Sequence, residues 1–178
     1  LNALTTDTVQ IRCATHDDVD DVCTVLKKAF TSLRGRGYSG RALRAAMYPP
    51  EAIRERLVQG AHVLVAEIDG KIVGTATGIE EYESLHVLSV AVDPAFGGQG
   101  IARCLMHELE KIAREKNCCK LFLETAWSMT EAIGLYKTLG YEQEGHQRNH
   151  FYGEDFLMFG KLLKEKETHS FAHEDGTD

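Results

Sequence analysis

No apolar stretch in this sequence approaches the ~18 residues that a helix needs to cross a bilayer. No basic region followed by an apolar run opens the chain, so no signal peptide and no membrane partner are expected. Cysteine is scarce and unpatterned: there are 5, with Cys118 and Cys119 adjacent and neither a Cys-x-x-Cys nor a Cys/His zinc spacing. The expectation is reduced thiols in a cytoplasmic protein without bound metal. Positive charge is also in deficit, with Lys+Arg 20 against Asp+Glu 27 and a net charge of -7. Readers of nucleic acid usually carry a basic face, so nucleic acid is not an expected partner. A cationic substrate suits this balance, although net charge names none. No internal repeat is present, and a homodimer is compatible with all of this.

The 178 residues suit one domain, whose core buries about 70% of the unfolded surface. Residues 9–163 are expected to form it, between a flexible N-terminus, 1–8, and a disordered acidic tail, 164–178, which opens Lys-Glu-Lys-Glu. His169 and His173 have i,i+4 spacing but fall in that tail. A strand is expected over Val9–Ala14. A helix follows from Thr15 to about Ser32, with Asp18 completing a capping box and Val19, Val22, Cys23, Leu26 and Phe30 at helical spacing. A loop over 34–38 leads to a second helical region whose last piece starts after Pro49-Pro50. Strands are predicted over 62–69 and 71–77, joined by the turn signal Asp69-Gly70. Ser84–Val92, apolar on both faces, reads as a central strand.

Ile101, Leu105, Leu109 and Ile112 mark an amphipathic helix. Lys120–Thr125 is a further buried strand. Ser128 and Glu131 predict a capping box for a helix ending at Gly140, and a hairpin around Gly153 closes the fold. An antiparallel meander followed by a strand–helix–strand unit predicts a mixed α/β (α+β) sheet with helices on its faces.

Between the central strand and the next helix lies Gly97-Gly98-Gln99-Gly100. Glycines let backbone amides approach a ligand, and a helix N-terminus offers unpaired donors and a positive dipole end. Together these suit a pyrophosphate. A P-loop would need Gly-Lys-Ser/Thr where Gly100 is followed by Ile101-Ala102. A dinucleotide fingerprint would need a third glycine where Arg103 stands. Neither is present.

With Val92-Asp-Pro94 before the glycines and Gly100 and Ala102 within them, the segment resembles the Arg/Gln-x-x-Gly-x-Gly/Ala signature of the GNAT acetyltransferases. Ala132-Ile-Gly-Leu135-Tyr136 with Leu139-Gly140-Tyr141 resembles the family's second signature, and Phe151-Tyr152-Gly153-Glu154-Asp155 its final hairpin. The resemblance spans about residues 9–163. It implies a mostly antiparallel central sheet holding one splayed parallel pair, Ser84–Val92 beside Lys120–Thr125. It implies acetyl-CoA as cosubstrate between those strands, no metal, and no covalent acyl-enzyme. The pantetheine would pair with the backbone near Val90 and Val92, and the pyrophosphate would rest on Gly97, Gly98, Gln99, Gly100, Ile101, Ala102 and Arg103. Two positions depart from the family pattern: Gly97 stands where Arg or Gln is usual, and Met129 where an Asn usually meets the pantetheine arm.

Acyl transfer to an amine needs the neutral nitrogen. A primary amine has a pKa near 10, so supplying that form at pH 7 costs about 4 kcal/mol, and a base helps. The departing thiolate is helped by an acid. The resemblance assigns the acid to Tyr136. Glu124, twelve residues before it, is the candidate base. The same Glu-to-Tyr spacing occurs in the ribosomal-protein alanine acetyltransferases, and the apolar neighbours of Glu124 predict a raised pKa. Glu80, Glu81, Glu83 and His86 are rival bases, although His86 also reads as a satisfied core histidine and Glu124 as a strand-end carboxylate. The expected function is acetyl transfer to a small amine. A protein N-terminus is the alternative acceptor, and a non-catalytic acyl-CoA-binding module is the alternative of another class.

Overall fold

A computed structural model describes residues 9–164; the flexible 1–8 and nearly all of the disordered tail expected from the sequence, with His169 and His173, lie outside the described residues. In chain order the elements are β1 (Gln10–Cys13), α1 (Val19–Thr31), α2 (Gly40–Ala46), α3 (Pro50–Val58), β2 (His62–Ile68), β3 (Lys71–Glu81), β4 (Ser84–Val92), α4 (Ile101–Glu115), β5 (Lys120–Ala126), α5 (Thr130–Thr138), β6 (Glu142–Phe151) and β7 (Glu154–Leu162). The strands form a 7-stranded sheet in the order β1-β2-β3-β4-β5-β7-β6. Neighbours are antiparallel except β4 and β5, which run parallel. β4 is central, as its apolar composition requires. No helix among the described residues is long and apolar enough to cross a membrane.

Strand alternation puts helices on both faces. Leu64 and Ala66 of β2 join one core with Ile101, Leu105, Leu109 and Ile112 of α4, whereas Val65 between them joins another with Val22 and Leu26 of α1 and Ile53 of α3. The Asp69-Gly70 turn adopts positive φ at both residues, 50° and 74°, which matches the twist of the strands it joins. Pairing of Glu81 with Ser84 carries β3 four residues past its expected end at Thr77.

The two capping boxes fare differently. Asp18 accepts from the Thr15 amide (2.7 Å) and hydroxyl (2.9 Å), and Arg12 holds the same carboxylate at 2.7 and 2.9 Å. Hydrogen bonding to Arg12 drives the Asp18 pKa well below the usual carboxylate range. The box expected at Ser128 and Glu131 does not form. α5 begins at Thr130 behind Met129 without a side-chain cap, and the Ser128 hydroxyl is buried with no partner among the described residues. The turn is fixed instead by the Trp127 amide donating to the Asp155 carbonyl (2.9 Å) and the Met129 amide to the Ala126 carbonyl (2.9 Å). That register leaves Ser128 one residue too early to cap.

Gly74 is where β3 meets α4. A Cβ there would lie 2.9 Å from Ile101 Cγ2 and 3.2 Å from Leu105 Cδ1. Gly74→Val should therefore destabilise by about 1–3 kcal/mol through overpacking. Thermal unfolding should show a clearly lowered Tm; an unchanged Tm would mean that α4 yields freely.

Candidate functional site

The site begins with an irregularity in β4. Thr75 pairs with Ala91 but Thr77 with Leu88, so Ala76 faces both Ser89 and Val90. This is a bulge, and Ser89 takes the left-handed conformation it needs, φ 57°. The bulge bends β4 away from β5. Parallel pairing lasts only from Ser84↔Lys120 to His86↔Phe122, although both strands run on. The backbone of Val87–Val92 therefore has an edge unpaired by β5, and Val87–Val90 line a cleft of about 440 Å³, whereas Val92 is not among its lining residues. Such an edge offers amides and carbonyls that an extended ligand can satisfy.

At the upper end of β4 sits the glycine segment. Gly98 and Gly100 have φ 75° and 80°, and a Cβ at either would meet open space. The first bond of α4 runs from the Cys104 amide to the Gly100 carbonyl (3.0 Å), and no backbone carbonyl among the described residues accepts from amides 98–103. Gly97 to Gly100 and Arg103 are exposed, while Ile101 packs inward and Ala102 is half-buried. The Arg103 guanidinium bonds the Thr138 hydroxyl (3.3 Å) rather than a carboxylate. Unpaired amides at a helix N-terminus are suited to an anion.

Lower in the cleft, Glu124 Oε2 lies 2.8 Å from His86 Nε2, and His86 Nδ1 lies 3.0 Å from Glu81 Oε1. The imidazole stacks on Phe122, with ring centroids 4.5 Å apart. Carboxylate, imidazole and carboxylate thus form a chain from the cleft toward the surface, where Glu81 is half-buried. The His86 hydrogen bond holds Glu124 below the usual carboxylate range, with burial opposing it. The raised pKa expected from its apolar neighbours is therefore corrected. Leu121 and Leu123 are buried on the other face of β5, and Glu124 meets an imidazole rather than hydrocarbon. Burial is the largest influence on His86 and disfavours its charge, but hydrogen bonds to Glu124 and Glu81 together outweigh it and raise its pKa.

Tyr136, from α5, lines the same cleft. Its pKa is pushed up to about 12 by burial alone, with no hydrogen bond contributing. The hydroxyl is protonated at neutral pH and has no hydrogen-bond partner among the described residues. Met129 also lines the cleft. Of the rival bases, Glu80 is drawn outward to His62 (2.8 Å) and Lys116 (3.0 Å), and Glu83 is not among the lining residues. Sequence reasoning did not find the link between His86 and Glu124, which depends on parallel register across 38 positions. It also did not find Phe30, Tyr48 and Phe156, which come from three separate segments to wall the cleft. Among the described residues no group of three or more His, Cys, Asp or Glu is placed to hold a metal ion.

A family model described as the acetyltransferase (GNAT) family matches residues 27–141. Among solved structures, the chain is similar to the ribosomal-protein-S18-alanine N-acetyltransferase of Escherichia coli, with a TM-score of 0.74 and 18% identity over 91% of this chain and 98% of that one. It is also similar to the ribosomal-protein-alanine N-acetyltransferase of Brucella melitensis, with a TM-score of 0.69 and 26% identity over 86% and 99%. A third similar structure is the PaiA N-acetyltransferase of Thermoplasma acidophilum in complex with coenzyme A, with a TM-score of 0.76 and 16% identity over 87% and 99%.

Proposed function

The chain belongs to the GNAT acetyltransferase family, and from that premise we propose that it transfers an acetyl group from acetyl-CoA to a small primary amine by direct attack. The observation that carries the proposal is the splayed β4–β5 cleft, with Glu124 and Tyr136 both among the residues that line it. Pyrophosphate on residues 97–103 and pantetheine along Val90 and Val92 would bring the thioester to the bulge. The amine nitrogen bonds to the thioester carbon as the C–S bond breaks. Glu124 takes the amine proton, and His86 and Glu81 offer it a path to water. Tyr136 donates a hydrogen bond to the developing thiolate. A cytoplasmic location, where the five free cysteines would stay reduced, belongs to the same proposal.

A protein N-terminus is the second acceptor to consider, favoured by the Escherichia coli and Brucella melitensis structures above. Two ties between the segment before α2 and the elements that follow β5 favour the small amine. The Tyr38 hydroxyl donates to the Ser128 carbonyl (3.0 Å) and the Ser39 amide to Glu154 Oε1 (2.6 Å). Thiol release measured across a panel of amines and peptides, beside calorimetry with acetyl-CoA, tests the proposal. Binding without turnover of any acceptor would instead make the chain a non-catalytic acyl-CoA-binding module.

Tyr136→Phe should lower kcat about 10–10³-fold, within or below the usual range for a general acid. A thiol pKa near 8.5 lets the leaving group depart unaided, only less readily. KM for acetyl-CoA should barely change, because the ring remains, which marks a group acting in the transition state. An unchanged kcat would reduce Tyr136 to a packing residue.

A further inference from the structure

We infer that the acceptor is a small apolar monoamine: one primary amino group on a short alkyl chain that ends in an aromatic or similarly apolar group. The inference rests on the proposal above that this cleft receives the acetyl acceptor.

Charge decides first. Among the described residues lining the cleft, Glu124 is the single carboxylate, and none is lysine or arginine. A polyamine would bring a second ammonium and an amino acid would bring a carboxylate. Either charge would be desolvated without a partner, which is costly. His150, the one basic lining residue besides His86, lies near enough to Glu124 to help lower its pKa, so it belongs to the amine end.

The walls decide next. Phe30, Tyr48, Phe151 and Phe156 line the cavity, and Phe151 and Phe156 meet edge to face with centroids 5.6 Å apart. Tyr48 is held by Arg56. The Arg56 guanidinium covers one ring face at 4.0 Å and bonds Ser89 Oγ at 2.9 Å, which ties that wall to the β4 bulge. A fixed aromatic wall suits an apolar group and makes offset or edge contacts with a ring.

The roof sets the size. Besides the Tyr38 and Ser39 bonds, Arg41 stacks over Tyr152 at 5.2 Å. These ties bridge residues 38–41 to the β5–α5 turn and the β6–β7 hairpin, the two elements that carry Met129, Phe151 and Phe156 of the cleft lining, and a closed rim there suits a short ligand better than the second and later residues of a peptide. A pocket of this character holds a ligand by apolar surface and orients it by a few polar groups, here the Glu124 carboxylate.

The test is calorimetry on the full chain saturated with CoA, using 2-phenylethylamine, spermidine, phenylalanine and an alanine-initiated tetrapeptide as probes. The expected result is a Kd for 2-phenylethylamine at least tenfold below that of each other probe. Equal or tighter binding of any other probe, or no binding of 2-phenylethylamine, overturns the inference. Ala46 lines the same cleft, and Ala46→Phe should weaken 2-phenylethylamine at least tenfold; unaltered amine binding in this variant also overturns the inference. Phe156→Leu serves the same purpose should Ala46→Phe not fold. Thiol release from acetyl-CoA separates the two levels. Preferred binding of 2-phenylethylamine without thiol release removes acetyl transfer and leaves the pocket assignment standing. Acetylation of another probe, with 2-phenylethylamine neither bound nor acetylated, removes the pocket assignment and leaves acetyl transfer standing.

Discussion

Replacing Glu124 by Gln should lower kcat about 10²–10⁴-fold at neutral pH, the usual worth of a positioned base. Gln keeps the shape and can still meet His86, but it cannot take a proton. The loss should shrink toward pH 10, where an amine supplies its own free base. The pH profile carries a second signature. Because Glu124 is lowered and His86 raised, each by the other, the two titrate as a pair. Below the raised His86 pKa the pair already holds a proton and is a poor acceptor. Above it the pair can accept the amine's proton, so kcat/KM of the parent should rise through a pKa above the ordinary His value of about 6.5.

In Glu124→Gln one of the two carboxylates that raise His86 is gone, while Glu81 and burial, which lowers it, remain. The His86 titration, followed by NMR, should therefore move to lower pH. Stability follows the same signs. The raised His86 contributes stability that is complete below its unfolded pKa and lost as pH rises through the folded value. The lowered Glu124 contributes stability present above its unfolded pKa and lost as pH falls through the folded value. Parent and variant should thus differ most in Tm between those limits, near pH 5–6. Equal kcat in variant and parent at neutral pH would pass the role of base to His86 or to a bound water.

The parts of the fold that local chemistry specifies could be read from the chain. The Asp69-Gly70 turn, the Ile101-Leu105-Leu109-Ile112 stripe and the glycine segment before α4 each depend on residues close in sequence, and each lies where that reading put it. The bulge could not be read. Leu88-Ser89-Val90 contains no glycine, and positive φ at Ser89 is imposed by pairing with β3 on one side and by Arg56 on the other. The splay was expected from resemblance alone, and its cause is that bulge. The sign of the Glu124 shift failed for a related reason. Its neighbours in sequence point to the opposite face of β5, whereas its partner comes from the adjacent strand. The failed cap at Ser128 is the same lesson in a helix, since tertiary bonds from Trp127 and Met129 set where α5 begins.

Gly100→Glu should weaken acetyl-CoA about 10²–10⁴-fold in Kd while the far-UV spectrum stays unchanged. A Cβ at Gly100 would meet open space, and Gly100 sits among the amides of 98–103, where a pyrophosphate would rest. A side chain there excludes the anion, and hydrogen bonds to charged groups are worth about 1.5–3 kcal/mol each. Losing two gives the stated range, and a carboxylate facing phosphate adds repulsion. Backbone strain contributes separately, because φ is 80° and an L-residue in that region costs roughly 1–2 kcal/mol. Gly100→Ala isolates that strain. It should lower Tm about as much as Gly100→Glu does, yet cost far less affinity, since it adds neither length nor charge. Raising the salt concentration should recover part of the binding in the Glu variant by screening and little in the Ala variant. Calorimetric titration of the three proteins with acetyl-CoA at two ionic strengths checks all of this. Parental affinity in a folded Gly100→Glu would move the pyrophosphate off the N-terminus of α4 and remove the basis for placing acetyl-CoA in the cleft.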